Sequence, residues 1–131
     1  MKKTYEVEHE WAGSMKVEID TDVMTEAELD EINNFWGNAD YRLAMQEDNV
    51  LHAVLVMLLF EATCVQLEGN LNLHGVVEAF NYDANCGRRG IEGWPKMDGT
   101  QGIQIVHFEG MVFEESDVTV KDITNYQEVT A

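Results

Sequence analysis

Two short stretches of this chain alternate strictly between apolar and charged residues on either side of a turn. Tyr5, Val7, His9 and Trp11 alternate with Glu6, Glu8 and Glu10, and Met15, Val17 and Ile19 alternate with Lys16, Glu18 and Asp20. Side chains of a strand point alternately to opposite faces, so a period of two predicts two half-buried strands. Between them lie Ala12, Gly13 and Ser14. A three-residue loop with glycine in the left-handed position is a common hairpin connection. It would set Trp11 opposite Met15, His9 opposite Val17 and Val7 opposite Ile19. It would also set Glu10 opposite Lys16, Glu8 opposite Glu18 and Glu6 opposite Asp20. A slip of one residue would turn the apolar set towards water, so the pairing of faces is strongly specified.

The next segment changes period. Thr25, followed three residues later by Glu28, reads as a capping box, with Glu26, Glu28 and Asp30 at the positive end of the helix dipole. Leu29, Ile32, Phe35 and Trp36 then share a helical face. Gly37 either ends this helix or marks a weak point in one that runs on to Leu43. Asp48 or Asn49 caps a second helix that ends at Gly69 and is apolar nearly all round from Val50 to Phe60. A helix of that kind is central to the core or shared with another subunit. Asn70 or Asn72 opens a short third helix to Phe80, weakened by Gly75.

"NYDANCGRRGIEGWPKMDGTQG" is a long glycine-rich loop, and loops beyond about 12–15 residues are often functional or mobile. Ile103 to Glu109 carries apolar residues on both faces, as a central strand would. Asp117 to Ile123 alternates and reads as a last strand. Strands thus cluster at the chain ends with helices between. That order predicts an α+β fold: an antiparallel sheet of about four strands, the N-terminal hairpin plus two C-terminal strands, with two or three helices on one face. At 131 residues and 45% hydrophobic content the chain fits one domain, 1–131, with one core.

The formal net charge is −17, from 25 acidic and 8 basic residues. Direct binding of nucleic acid, a polyanion, is disfavoured, and so is an anionic membrane surface. The apolar run Val50 to Phe60 is shorter than the ~20 residues a bilayer span needs. Acidic residues follow the opening lysines where a secretory signal needs an apolar stretch. A cytoplasmic location is the resulting expectation.

Few residues suggest chemistry. The four histidines, His9, His52, His74 and His107, have no second ligand at zinc spacing. His9 and His107 read as core or boundary residues on apolar strand faces, and His52 as packed within its helix. Cys64 reads as a buried free thiol. Cys86, beside Arg88 and Arg89, is the best candidate for a reactive group, since neighbouring cations lower a thiol pKa, but no partner base is identifiable. Neither serine stands in a nucleophile elbow. No EF-hand, Walker A or dinucleotide fingerprint occurs. No catalytic residue, cofactor or metal site is therefore assigned, and an enzyme is the less favoured class.

Two features remain as candidate binding sites. Glu6, Glu8, Glu10, Glu18 and Asp20 share one face of the predicted hairpin. Like charges facing one another on a sheet are destabilising, so the face is either merely solvated or binds something positive, with a basic protein surface favoured over a metal ion. The Cys86–Asp98 loop offers Arg88, Arg89 and Trp94 for a small ligand. Its arginines are also natural partners for the protein's own carboxylates, and Trp94 either pins the loop to the core or makes contacts at the surface.

The stretches "YEVEHEWAGSMKVEIDTDVMTEAELDEINNFWG", "GVVEAFN" and "GIEGWPKMDGTQGI" resemble a family of small acidic bacterial and prophage-associated proteins, domain of unknown function 2528. The likeness runs from about Tyr5 to Ile123. It implies a stand-alone bacterial domain carried on mobile DNA and transfers no catalytic residue. The leading expectation is a non-enzymatic binding protein whose acidic hairpin face meets a basic protein surface. The alternatives are a homodimer through the Val50–Leu67 helix and, third, a small-molecule binder using the Cys86–Asp98 loop.

Overall fold

The computed structural model describes residues 1–10, 13–83, 88–110, 116, 118–122 and 124. Strands β1 (Lys2–His9) and β2 (Gly13–Asp20) form the N-terminal hairpin. Helices α1 (Glu26–Phe35), α2 (Ala39–Met45), α3 (Val50–Gly69) and α4 (Leu73–Phe80) follow. A two-residue ladder, β3 (Tyr82–Asp83) with β4 (Arg88–Arg89), precedes the last strand, β5 (Ile103–Glu109). The main sheet is antiparallel, in the order β1-β2-β5.

The sheet has three strands rather than about four, and β5 is not central. Val118–Asp122, the described part of the expected last strand, has no strand structure; Asp117 and Ile123 lie outside the described residues. Beyond β5 there is instead an isolated bridge between Asp98 and Gln104, supported by the bonds Gly99 N–H to Ile103 O and Ile105 N–H to Met97 O.

The apolar faces of β1 and β2 pair as their alternation requires, but β2 is displaced by four residues from the register read in the sequence. Val7 faces Met15 and Tyr5 faces Val17. Gly13 belongs to the strand, not the loop, at φ +114°, and a Cβ there would collide with the carbonyl of Glu109. The connection runs through residues 10–12, of which Trp11 and Ala12 lie outside the described residues. An even displacement keeps every side chain on its own face. It also replaces Glu8 opposite Glu18 and Glu6 opposite Asp20 with Glu6 opposite Lys16, Thr4 opposite Glu18 and Lys2 opposite Asp20. Opposite charges across a sheet stabilise by roughly 0.2–1 kcal/mol where like charges destabilise, which favours the observed register.

A bulge explains the two-faced look of β5. Its register shifts between Lys16 and Val17, so that Lys16 faces His107 and Val17 faces Ile105, leaving Val106 as the extra residue. Ile103 and Ile105 are buried, Val106 and His107 are exposed, and Phe108 returns to the core side. His107 is therefore on the solvent face, 3.3 Å from Glu109, and not on an apolar face as its position in the alternation suggests.

Helices α1, α3 and α4 begin where their side-chain caps stand. Thr25 Oγ1 accepts from Glu28 N–H (3.4 Å), Asn49 Oδ1 from His52 N–H (3.1 Å) and Asn72 Oδ1 from Gly75 N–H (2.9 Å). Asn70, left-handed at φ 51°, ends α3. The core gathers Met15, Val17 and Ile19 from β2, Ile103 and Ile105 from β5, Leu29 and Ile32 from α1, and Val54, Leu58 and Ala62 from α3. Val76, Phe80, Trp94 and Met97 close it. At 20 residues, 18 of which average a hydropathy of 2.0, α3 has the length and composition of a bilayer-crossing helix, which the shorter run Val50 to Phe60 did not suggest. In this fold one side of it is laid against the sheet and the other helices.

Candidate functional site

The sheet has one face covered by helices and one open face. The open face carries Lys2, Thr4, Glu6 and Glu8 from β1, Ser14, Lys16, Glu18 and Asp20 from β2, and Gln104, His107 and Glu109 from β5. All five predicted acidic residues are brought to this side or to its rim, yet they fall into two groups.

Glu18 and Asp20 lie at the end near the chain's first residues and are half-buried. Lys2 Nζ stands 3.7 Å from Glu18. Asp20 accepts from the backbone N–H of Asp22 (3.0 Å) and from the Met1 amine (3.3 Å). Those hydrogen bonds and the cationic amine hold the Asp20 carboxyl below the usual carboxylate range. The Met1 amine donates in turn to the Asp22 carboxylate at 2.5 Å, and this bond, more than its bond to Asp20, raises the amine above its ordinary value. These two acids are thus engaged in local structure.

Glu6, Glu8 and Glu10 lie towards the hairpin turn and are exposed. Among the described residues, no ion pair within 4.0 Å joins them to a cation. Glu6 faces Lys16 across the ladder, Glu8 faces Ser14, and Glu10 begins the turn. Glu109 adds a further carboxylate beside Ser14. This end of the face is the more available for a cationic partner.

The loop reading fares differently. The backbone of Arg88–Arg89 pairs with Tyr82–Asp83, while the two arginine side chains and Cys86 lie outside the described residues. Trp94 is 6% exposed and meets Phe80 edge-on at 6.1 Å, so it pins the loop to the core. Beside it the loop is organised around Tyr82. Lys96 stands 4.9 Å over the Tyr82 ring, Gln101 Nε2 donates to the Tyr82 hydroxyl (2.5 Å), and Lys96 N–H donates to Gln101 Oε1 (2.9 Å). Asp98 closes a turn by accepting from Thr100 N–H and Oγ1 (3.0 and 2.6 Å), which lowers its carboxyl pKa. Among the described residues, no group of three metal-ligating side chains converges.

Other expectations need correction. Cys64 is exposed, because it lies on the side of α3 away from the core. His9 and His52 are exposed too. Each ring meets an aromatic neighbour edge-on at 6.2 Å, His9 with Phe60 and His52 with Tyr5.

One feature escaped the sequence reading. Asn33, 2% exposed, lies in α1, and Arg42 reaches it from α2. Arg42 Nε donates to Asn33 Oδ1 (2.7 Å), and its Nη atoms donate to the carbonyls of Asn33 (2.8 Å) and Gly37 (3.1 Å). Asn33 Nδ2 donates to Ala39 O (3.3 Å). The guanidinium thus caps the end of α1 with neutral acceptors rather than carboxylates, and it fixes α2 beside α1. An asparagine one turn after Leu29, on the apolar side of the helix, was the available signal.

Residues 14–120 match the family model described as "Protein of unknown function (DUF2528)". The chain is 42% identical over 120 residues to "Protein ea10" of Escherichia phage lambda, covering 91% of this chain and 95% of that protein. It has the same identity and coverage with "Lambda prophage-derived protein ea10" of Escherichia coli O6:H1 (strain CFT073). No solved structure matches.

Proposed function

From the chain's membership of this prophage-associated family of unknown function, we propose that it is a non-enzymatic binding protein whose open sheet face docks a basic surface of another protein. The observation that carries this reading is the uncovered end of the sheet, where Glu6, Glu8 and Glu10 stand exposed beside Glu109. A net charge of −17 extends their field and speeds encounter with a cationic partner. In a prophage setting, one form of this role is an inhibitor that imitates the charge of nucleic acid.

The test is a comparative pull-down from an Escherichia coli lysate, the host background of the relatives. The triple variant Glu6→Gln, Glu8→Gln, Glu10→Gln is expected to lose a partner that the wild type and the double variant Glu18→Gln, Asp20→Asn both keep. The retained complex should weaken steeply with added salt. The same set of proteins on all three baits, or a salt-insensitive complex, overturns the reading.

A further inference from the structure

Some of the largest exposed apolar side chains gather in one place. Tyr41 and Met45 of α2 and Phe60 of α3 are 69%, 62% and 58% exposed. With the half-buried Val56 and Met57 they line a shallow groove between the two helices. Leu67, also exposed, continues the strip along α3 two turns beyond Phe60, with Cys64 between them. The one charged side chain in the groove lining is Arg42, and its guanidinium is turned towards Asn33, Trp36 and Gly37.

We infer that this strip receives a second copy of the chain, α3 packing against α3 across a two-fold axis. The area fits. With aromatic side chains of roughly 150–250 Å² each, Tyr41, Phe60, Met45 and Leu67 leave about 400 Å² of apolar surface in water. A stable dimer takes about 800 Å² from each partner, a little over half of it apolar, so the strip supplies most of that apolar share. The charge pattern selects the occupant. Two copies at −17 repel over most of their surface. The groove lining has no carboxylate, so like copies can close there with the acids of α3, Glu61 and Glu68, kept to the rim of the strip. A basic partner would find no acid in the groove to meet. A strip centred on one helix and its neighbour is also readily self-complementary, as a two-fold contact requires. This inference is independent of the sheet face.

Sedimentation velocity on the full chain across the micromolar range tests it. The expected result is a dimer that tightens as salt screens the mutual repulsion. Phe60→Lys should raise the dissociation constant by about 100-fold, the scale of a hot-spot residue. It should do so although it lowers the net negative charge, which by itself would favour association. Tyr41→Lys, at a more exposed position, should do the same with an unchanged far-ultraviolet circular dichroism spectrum, and it decides the matter should Phe60→Lys misfold. A wild type that stays monomeric, a dimer indifferent to Tyr41→Lys, or association that weakens with salt overturns the inference.

Discussion

The two sides of α3 are almost equally apolar and have opposite fates. One side presents Val54, Leu55, Leu58 and Ala62, all buried. The other presents Met57, Phe60, Cys64 and Leu67, of which the last three are exposed. Hydropathy does not separate them. Shape helps to: the inner side includes the small Ala62, which lets a neighbouring element approach closely, whereas the outer side carries the bulky Phe60 and Leu67. What decides the outcome is which elements the rest of the chain lays alongside. An apolar helix announces that it will be covered, and the tertiary structure says by what.

That contrast can be broken by substitution. Leu58→Ala on the inner side should cost about 2–5 kcal/mol, because the cavity is ringed by sheet and helices that cannot collapse into it. The midpoint of urea unfolding reads this directly. Next in size is Arg42→Ala, at about 2 kcal/mol, since it removes charge-assisted hydrogen bonds and strands the oxygen of buried Asn33. It should also speed amide hydrogen exchange in α2 more than in α3, because Arg42 is what fixes α2, and with it Tyr41 and Met45, beside α1. Smallest is Phe60→Ala, which should change the stability of the monomer by no more than about 0.5 kcal/mol. A Phe60→Ala cost comparable to that of Leu58→Ala would erase the distinction between the two sides.

Local chemistry was legible where it was local. Alternation in Tyr5–Ile19 gave the hairpin and its faces. Thr25 marked a helix start, and Asn49 and Asn72 were each one of two candidates, because each supplies an acceptor to its own first turn. The five acidic residues were placed on or beside one face for the same reason of periodicity. Their surroundings were not legible. The four-residue displacement of β2 leaves every face unchanged, so alternation is blind to it, yet it moves Lys16 opposite Glu6 and Lys2 opposite Asp20. The bulge at Val106 reverses the facing of His107 with no signal in residue type.

The sequence by itself determined the hairpin with its two faces, the order of the main strands and helices as far as β5, and the starts of α1, α3 and α4 to within about two residues. Those follow from side-chain period and from caps that act within a turn. Only the tertiary structure decided the pairing of charges across the hairpin, the exposure of Cys64 and His107, the burial of Trp94 and the bond between Asn33 and Arg42. Each depends on residues distant in the chain coming to within a few ångströms. That proximity is set by packing of the whole core, where several local solutions are equally good until one buries the most apolar surface with its polar groups satisfied.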